Sequence, residues 1–341
     1  MALPVFRPTV KRKDMGSVLS CIVSDKLGPG EISRELVSRA SQLLGHTGGA
    51  TLCNTYLGLS AALEALGLVS GDPVIIPALA PSVWLRVLSD KGLQPLVADV
   101  EPESASIDAQ EVGRLVQKGA KAILVHHTLG VIVDVEALRA HGLPILEDSS
   151  QGLGGKLGEN ACGSKAEICL ISLEPENIVT CGGGALVLVK TRQLLTVLRR
   201  IVEGSPLYSP LADMNAALGI SQVAALENFV RVRREVTAVF SQSLAKSRHR
   251  SLVPRMEAEN VFSSFPVCLK DGMKEARQYA LKKNVDTIPA FADAVAALDD
   301  GPGSQCVNAR SLVLRCVLFP LYPMLGKRDV EAVCKVLATL P

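Results

Sequence analysis

Three short segments carry residue types that could assemble a site. The first, CNTYLGLSAAL (Cys53 to Leu63), reads as a loop opening a helix, with Asn54 and Thr55 at its start. A helix N-terminus offers unpaired amides and the positive end of a dipole, and a hydroxyl beside it can bond a phosphate. The same pair also suits an ordinary N-cap, and the segment alone leaves both readings open. The second, ILEDSSQ (Ile145 to Gln151), ends an apolar run on Asp148. Such a carboxylate stands at the carboxyl edge of a sheet, where open α/β folds hold ligands, although an isolated acidic strand end is more often a helix cap. The third, ISLEPENIVTCGGGA (Ile171 to Ala185), sets Asn177 beside Glu174 and Glu176 and ends in a glycine turn. A carboxamide has no useful pKa, so Asn177 cannot work as a general base.

The elements that must position these residues show in the hydrophobic pattern. PVIIP, QPLVADV, KAILVHH, LPILED, AEICLISL and GALVLVK read as strands, separated in places by amphipathic stretches such as Ala109 to Lys118 and Val135 to His141. Strand and helix in alternation imply an α/β fold with a mostly parallel central sheet covered on both faces. Turn residues interrupt the pattern near Leu207 to Pro210, and a long helical stretch is expected from Asp213 to about Leu244, with Leu218, Leu226, Phe229, Val236, Phe240 and Leu244 on one side. Beyond it, strand-like FSSFPVCL and LVLRCVLFPL, a helical Met273 to Lys283, a loop DDGPGSQ and a closing helix Arg328 to Thr339 form a small α+β unit. The division expected is a large α/β domain over residues 1–225, with an N-terminal segment that can pack on the smaller unit, and a small domain over 226–341.

Order and spacing of these segments resemble the DegT family of nucleotide-sugar aminotransferases, enzymes of fold type I that use pyridoxal phosphate (PLP). In that family a strand ending in Glu-Asp is followed by Ser-Phe-x-Pro-x-Lys and a Gly-Gly-Ala turn. Here Ser172, Leu173, Pro175, Gly183, Gly184 and Ala185 fall in register, and Asn177 stands at the position of the Schiff-base lysine. The resemblance extends to LPVFRPTV, the DKLGPG turn, GDPVIIP, ADVEPESASID, AALGISQVAALENFVRVRREV and LFPLYPML, and so covers nearly the whole chain.

It implies that Asn54 and Thr55 cradle the cofactor phosphate, that Asp148 pairs with the pyridine nitrogen, that Gln151 reaches the ring's phenolic oxygen, and that Ser172 belongs to the site. The ring-stacking position falls on Pro81; Trp84, the single tryptophan, could take that role or be core. His126 in LVHHTLG matches a histidine of the family that packs behind the ring. Without the lysine ε-amine, PLP or pyridoxamine phosphate (PMP) would be held noncovalently. Lys165 and Lys190 are the nearest lysines in sequence, and both fall at the far ends of strands or in surface loops.

Composition sets the outer limits. The chain has 341 residues, 48% of them apolar, and a net charge of +2 from interspersed signs. Its mean hydropathy is +0.28. No apolar run approaches the ~20 residues of a membrane helix, no apolar stretch follows the basic N-terminus, and KSRHR (Lys246 to Arg250) suits a solvated helix end better than a nucleic-acid patch. Nine scattered cysteines without a CxxC pair suit reduced thiols, and Cys181 reads as a small buried hydrophobe. A cytoplasmic homodimer with no membrane or nucleic-acid partner is expected. Three functions remain open: an enzyme on an amino sugar or nucleotide sugar with a rebuilt site, a ligand-binding or regulatory module that has lost the reaction, and a partner subunit for an active paralogue.

Overall fold

A computed structural model describes residues 2–25, 27–255 and 257–341; Lys26, within the expected DKLGPG turn, lies outside them. The strands in chain order are β1 (Gly48–Leu52), β2 (Pro73–Pro77), β3 (Gln94–Ala98), β4 (Ala122–His126), β5 (Ile145–Asp148), β6 (Lys156–Leu157), β7 (Asn160–Ala161), β8 (Ile168–Ser172), β9 (Ala185–Val189), β10 (Ala258–Glu259), β11 (Phe265–Cys268), β12 (Ile288–Pro289) and β13 (Cys316–Phe319). The helices are α1 (Asp14–Val23), α2 (Glu31–Leu44), α3 (Thr55–Ala65), α4 (Val83–Asp90), α5 (Ala109–Gln117), α6 (Val135–Arg139), α7 (Arg192–Glu203), α8 (Asp213–Ala224), α9 (Leu226–Leu244), α10 (Met273–Lys282), α11 (Val307–Arg315) and α12 (Lys327–Ala338).

Seven strands form the central sheet in the order β1-β9-β8-β5-β4-β2-β3. All neighbours run parallel except at β9, which is antiparallel to both β1 and β8. Every residue of β4, β5, β8 and β9 is buried, as a sheet covered on both faces requires. The two-residue period of a strand sorts these side chains. Ala122 and Leu124 of β4 join a core with Leu59 and Leu63 of α3, Trp84 and Leu88 of α4, and Leu198 of α7. Ile123 and Val125 point the other way, to Val112 and Leu115 of α5 and Leu138 of α6. Further along that second face Cys169 and Ile171 of β8 meet Leu36 and Ala40 of α2 and Phe229 of α9.

The expected helix from Asp213 to Leu244 is two helices, broken at Ala225, whose φ of −97° and ψ of 0° end α8. No Gly or Pro marks that break in the sequence. Asp213, the first residue of α8, is buried and accepts hydrogen bonds from the amides of Gly30 (2.8 Å), Ile32 (3.1 Å) and Ser33 (2.8 Å). Its carboxylate therefore caps α2 at a distance of 180 residues in sequence, supplying acceptors that the helix start lacks.

α9 ties the two parts of the chain together. Its Leu226, Phe229 and Val230 pack in the large-domain core with α2, whereas Phe240 and Leu244 pack with the C-terminal sheet. Midway, the buried Arg233 donates to the carbonyls of Ser263 (2.7 Å) and Leu321 (2.6 Å), binding two segments of the C-terminal unit to the helix. Burial brings its guanidinium down to about 10. The C-terminal unit is an antiparallel sheet, β11-β13-β12. Its core takes in Ala78, Leu79, Leu129 and Val131 of the large domain, so the two cores are continuous. Leu3 pairs with Val285, fastening the N-terminal segment to this unit. The strand-like LVLRCVLFPL is in fact half helix: Leu312 to Arg315 close α11, and only Cys316–Phe319 form a strand.

Among the described residues no helix is long and apolar enough to cross a membrane.

Candidate active site

The carboxyl ends of β5 and β8, the N-terminus of α3 and the C-terminal segment 288–294 surround one open cavity of about 600 Å³. That volume lies within the usual range for small-molecule sites. Asn54, Thr55, Pro81, Trp84, Asp148, Gln151, Ser172 and Asn177, all the residues expected from sequence, line it.

At one wall, α3 begins on Asn54, whose Oδ1 accepts the amide of Leu57 at 2.8 Å. Asn54 is thus an N-cap in its side chain, and it is the helix start itself that faces the cavity. Thr55 Oγ1 donates to Ser172 Oγ at 2.8 Å, joining that helix start to the end of β8.

The Asn177 carboxamide meets the same serine: Nδ2 donates to Ser172 Oγ at 3.0 Å and to its carbonyl at 3.2 Å. The loop bearing Asn177 is held at its base, where the amides of Cys181 and Gly183 and the Thr180 hydroxyl all donate to the Leu173 carbonyl. Gly184 closes it with φ +111°, and a Cβ there would lie 2.6 Å from Leu211 Cδ1 and 3.1 Å from the Leu52 carbonyl. Only glycine suits that conformation and space. Burial pushes the Cys181 thiol to about 12, in keeping with a packing role.

Asp148 stands on the floor, 3% exposed. Its Oδ1 accepts the amide of Ser150 at 2.9 Å and the Ser150 hydroxyl. Ser150 Oγ in turn accepts the Ser172 amide at 2.7 Å. One hydroxyl therefore fixes the ends of two adjacent strands, a role that sequence reading did not single out although DSSQ contains it. Gln151 does not project freely: its Oε1 accepts the Leu129 amide at 2.7 Å. Leu129 has φ +53°, a strained conformation for a branched residue, and this bond helps to hold it.

His126 is buried between these groups and Trp84, which meets it edge-on with centroids 5.9 Å apart and an interplanar angle of 79°. Burial lowers the His126 pKa from its ordinary value, against the opposing pull of Asp148. Trp84 is 0% exposed and its Nε1 has no partner among the described residues, so it is core that also forms cavity wall. Pro81 forms a bridge with Ala294. Beside it, Ser82 donates from its amide to the Asp293 carbonyl at 2.7 Å and from its hydroxyl to Asp293 Oδ1 at 2.6 Å. The segment Ile288 to Ala294 closes the cavity in this way. Its sequence, IPAFADA, carries only the Asp293 carboxylate as a polar side chain and gave no signal of its place.

Charge in the cavity is one-sided. Asp148, Glu174, Glu176 and Asp293 line it, and among the described residues no lysine or arginine does. Burial, reinforced by Glu176, raises the Glu174 pKa. Lys165 and Lys190 lie at the opposite end of the strands: Lys165 pairs with Glu136, and Lys190 Nζ donates to the carbonyls of Gly45 and Ser164.

The fold is that of solved sugar aminotransferases. A sequence profile of the DegT/DnrJ/EryC1/StrS aminotransferase family matches residues 8–338, and the chain belongs to that family. It is 24% identical over 315 residues to a GDP-perosamine synthase of Caulobacter vibrioides, an alignment spanning 85% of this chain and 84% of that one. Among solved structures it resembles the aminotransferase TlmJ from Streptoalloteichus hindustanus, with a TM-score of 0.91, 22% identity and coverage of 99% and 98% of the two chains. It also resembles the PLP form of Spr1654 from Streptococcus pneumoniae, with a TM-score of 0.90, 17% identity and the same coverage.

Proposed function

We propose that this chain binds PLP or PMP noncovalently and takes an amino-sugar or nucleotide-sugar ligand above it, without performing ordinary transamination alone. The observation that carries this reading is Asn177, hydrogen-bonded to Ser172 where the family resemblance places the lysine.

The residues present fit the cofactor apart from that lysine. The start of α3 faces the cavity with Thr55 beside it, and this end would hold a phosphate through amides and dipole. Asp148, fixed by Ser150, would keep the pyridine nitrogen protonated. Pro81 and Trp84 would bound the ring on one side. When bound, the cofactor supplies an electron sink. The chain's own residues then position it and shield it: the Ser82–Asp293 bonds close one side, and the His126–Trp84 pair excludes water behind the floor. What the site lacks, among the described residues, is a lysine amine to move a proton. Asn177 cannot, and His126 is buried with a depressed pKa.

The ligand class is supported by the family and by a GDP-perosamine synthase among its relatives. A nucleotide diphosphate needs cations, and the cavity wall has none among the described residues. This favours a site completed across a two-fold interface, with a second copy or an active paralogue as the partner. Leu207 and Tyr208, 78% and 80% exposed, stand next to Ser209, whose carbonyl accepts the Cys53 amide beside Asn54, and so offer an apolar contact near the cavity. Isothermal titration with PLP, PMP and GDP, separately and together, tests the reading. Binding of PLP or PMP supports it, and absence of binding for both contradicts it.

A further inference from the structure

Cys268 on β11 stands directly opposite Cys316 on β13. Cys268 exchanges both backbone hydrogen bonds with Arg250 on its other side, its amide donating to the Arg250 carbonyl at 2.7 Å and its carbonyl accepting the Arg250 amide at 3.3 Å. Cys316 likewise turns its carbonyl away, to the amide of Ala290 at 2.9 Å. The two cysteines are therefore a non-hydrogen-bonded pair, the arrangement with the closer approach, about 4.5 Å between Cα atoms. Pro266, two residues before Cys268 and opposite Leu318, confirms the phase, because a residue without an amide hydrogen fits only such a position. A Cα separation of that size is within the range a disulfide spans.

Two further features bear on what the pair can do. The thiols differ in exposure: Cys268 is half-buried, and Cys316 is buried. They also differ in acidity. The facing Cys316 thiol, with help from Arg250 and Arg315, holds Cys268 below its ordinary pKa, while the Cys268 thiol and burial push Cys316 up. The pair also shares a face of the small sheet with Leu318, about 7 Å further along β13, and Leu318 lines the cavity. Ala290, bonded to Cys316, lines it too.

We propose that Cys268 and Cys316 form a reversible thiol–disulfide pair, oxidised by low-molecular-weight disulfides, whose closure alters the wall of the cavity. The Cys268 thiolate attacks one sulfur of the small disulfide, forming a mixed disulfide and releasing one thiol. Cys316 then gives up its proton and attacks the Cys268 sulfur, releasing the second thiol. Two protein thiols are oxidised and one small disulfide is reduced to two thiols.

The experiment treats the reduced full-length protein with glutathione disulfide, counts thiols after denaturation and maps linked peptides. The expected result is a fall from the nine thiols of the chain to seven, a single Cys268–Cys316 linkage, and full recovery with dithiothreitol. Cys268→Ser should abolish the linkage and leave Cys316 unmodified. A stable glutathione adduct on Cys268 without linkage, or a linkage to any other cysteine, overturns the pair. The coupling to the cavity rests on the proposed PLP binding: PLP titration of reduced and oxidised protein should give dissociation constants at least threefold apart, and equal constants overturn the coupling. If neither form binds PLP, the cofactor reading fails, while the peptide map still decides the thiol pair.

Discussion

Asn177 Nδ2 donates to Ser172 Oγ at 3.0 Å, and Thr55 Oγ1 donates to that same oxygen at 2.8 Å. One serine hydroxyl thus joins the loop that carries Asn177 to the helix start that faces the cavity. Ser172 is fixed from behind through its amide, which donates to Ser150. On the proposed reading, the site keeps the family's framework and differs in its reactive group.

Ser150 is the residue on which that framework turns. Ser150→Ala removes a donor from Asp148 and the acceptor of the Ser172 amide, both buried. Leaving such groups unpaired costs about 1–3 kcal/mol each. We expect urea unfolding to show a loss of at least about 2 kcal/mol, and PLP affinity to fall about tenfold. Unchanged stability and affinity would refute the role given to this hydroxyl.

Asp148→Asn keeps shape and removes charge beneath the proposed pyridine nitrogen. PLP and PMP binding should weaken by about tenfold or more, the weight of one charge-assisted hydrogen bond, with the fold intact by circular dichroism. An affinity equal to wild type would show that the cofactor, if bound, does not use this carboxylate.

Asp213→Ala tests a feature far from the cavity. The amides of Ile32 and Ser33 at the α2 start lose their acceptor, that of Gly30 keeps only the Ser33 hydroxyl, and α2 packs on the sheet through Leu36 and Ala40. A loss of about 2–3 kcal/mol in the unfolding free energy is expected, with PLP affinity within twofold of wild type.

Acid should destabilise the protein through its buried histidines. His126 is held below 6.5 by burial, and His46 is lowered for the same reason. The unfolded chain then binds more protons than the folded one once the pH falls below the ordinary value. Their contribution to stability is complete above that value and declines as the pH drops towards the folded pKa, by at most about 1.4 kcal/mol per pH unit for each histidine. Urea midpoints measured from pH 7.5 to 5 should fall, and His126→Gln should flatten the slope. A slope unchanged in the variant would mean that His126 is not the group responsible.

Much of the fold was legible because buried parallel strands announce themselves as short apolar runs: PVIIP is β2 to the residue. Strand direction is not written in hydrophobicity, so the reversal of β9 was not readable. β1, GGATL, was too small and too glycine-rich to stand out; the ideal Cβ of Gly49 would lie 2.2 Å from the Val187 carbonyl, so the strand needs that glycine to approach β9. LVLRCVLF fits helix and strand patterns alike, and packing decided between them at Cys316. Asp148, Ser172 and Asn177, singled out from motif order, line the cavity. The wall from Ile288 to Ala294 was not singled out, because its place depends on chain folding back over 200 residues to pair with Pro81. Asn54 shows that both open readings can hold at once, since its side chain caps the helix whose first turn faces the cavity.

The central claim, a family site that holds its cofactor without a covalent link, is tested most directly by borohydride reduction of the protein saturated with PLP, followed by peptide mapping. The wild-type chain should show no pyridoxyl group on any lysine above the level of a denatured control. Asn177→Lys should show one, on the peptide spanning residue 177, because the new amine would rise from the loop beside Ser172 into the cavity. A pyridoxyl-lysine in the wild-type protein, at Lys165, Lys190 or elsewhere, would contradict the account and return the chain to the ordinary transaminases.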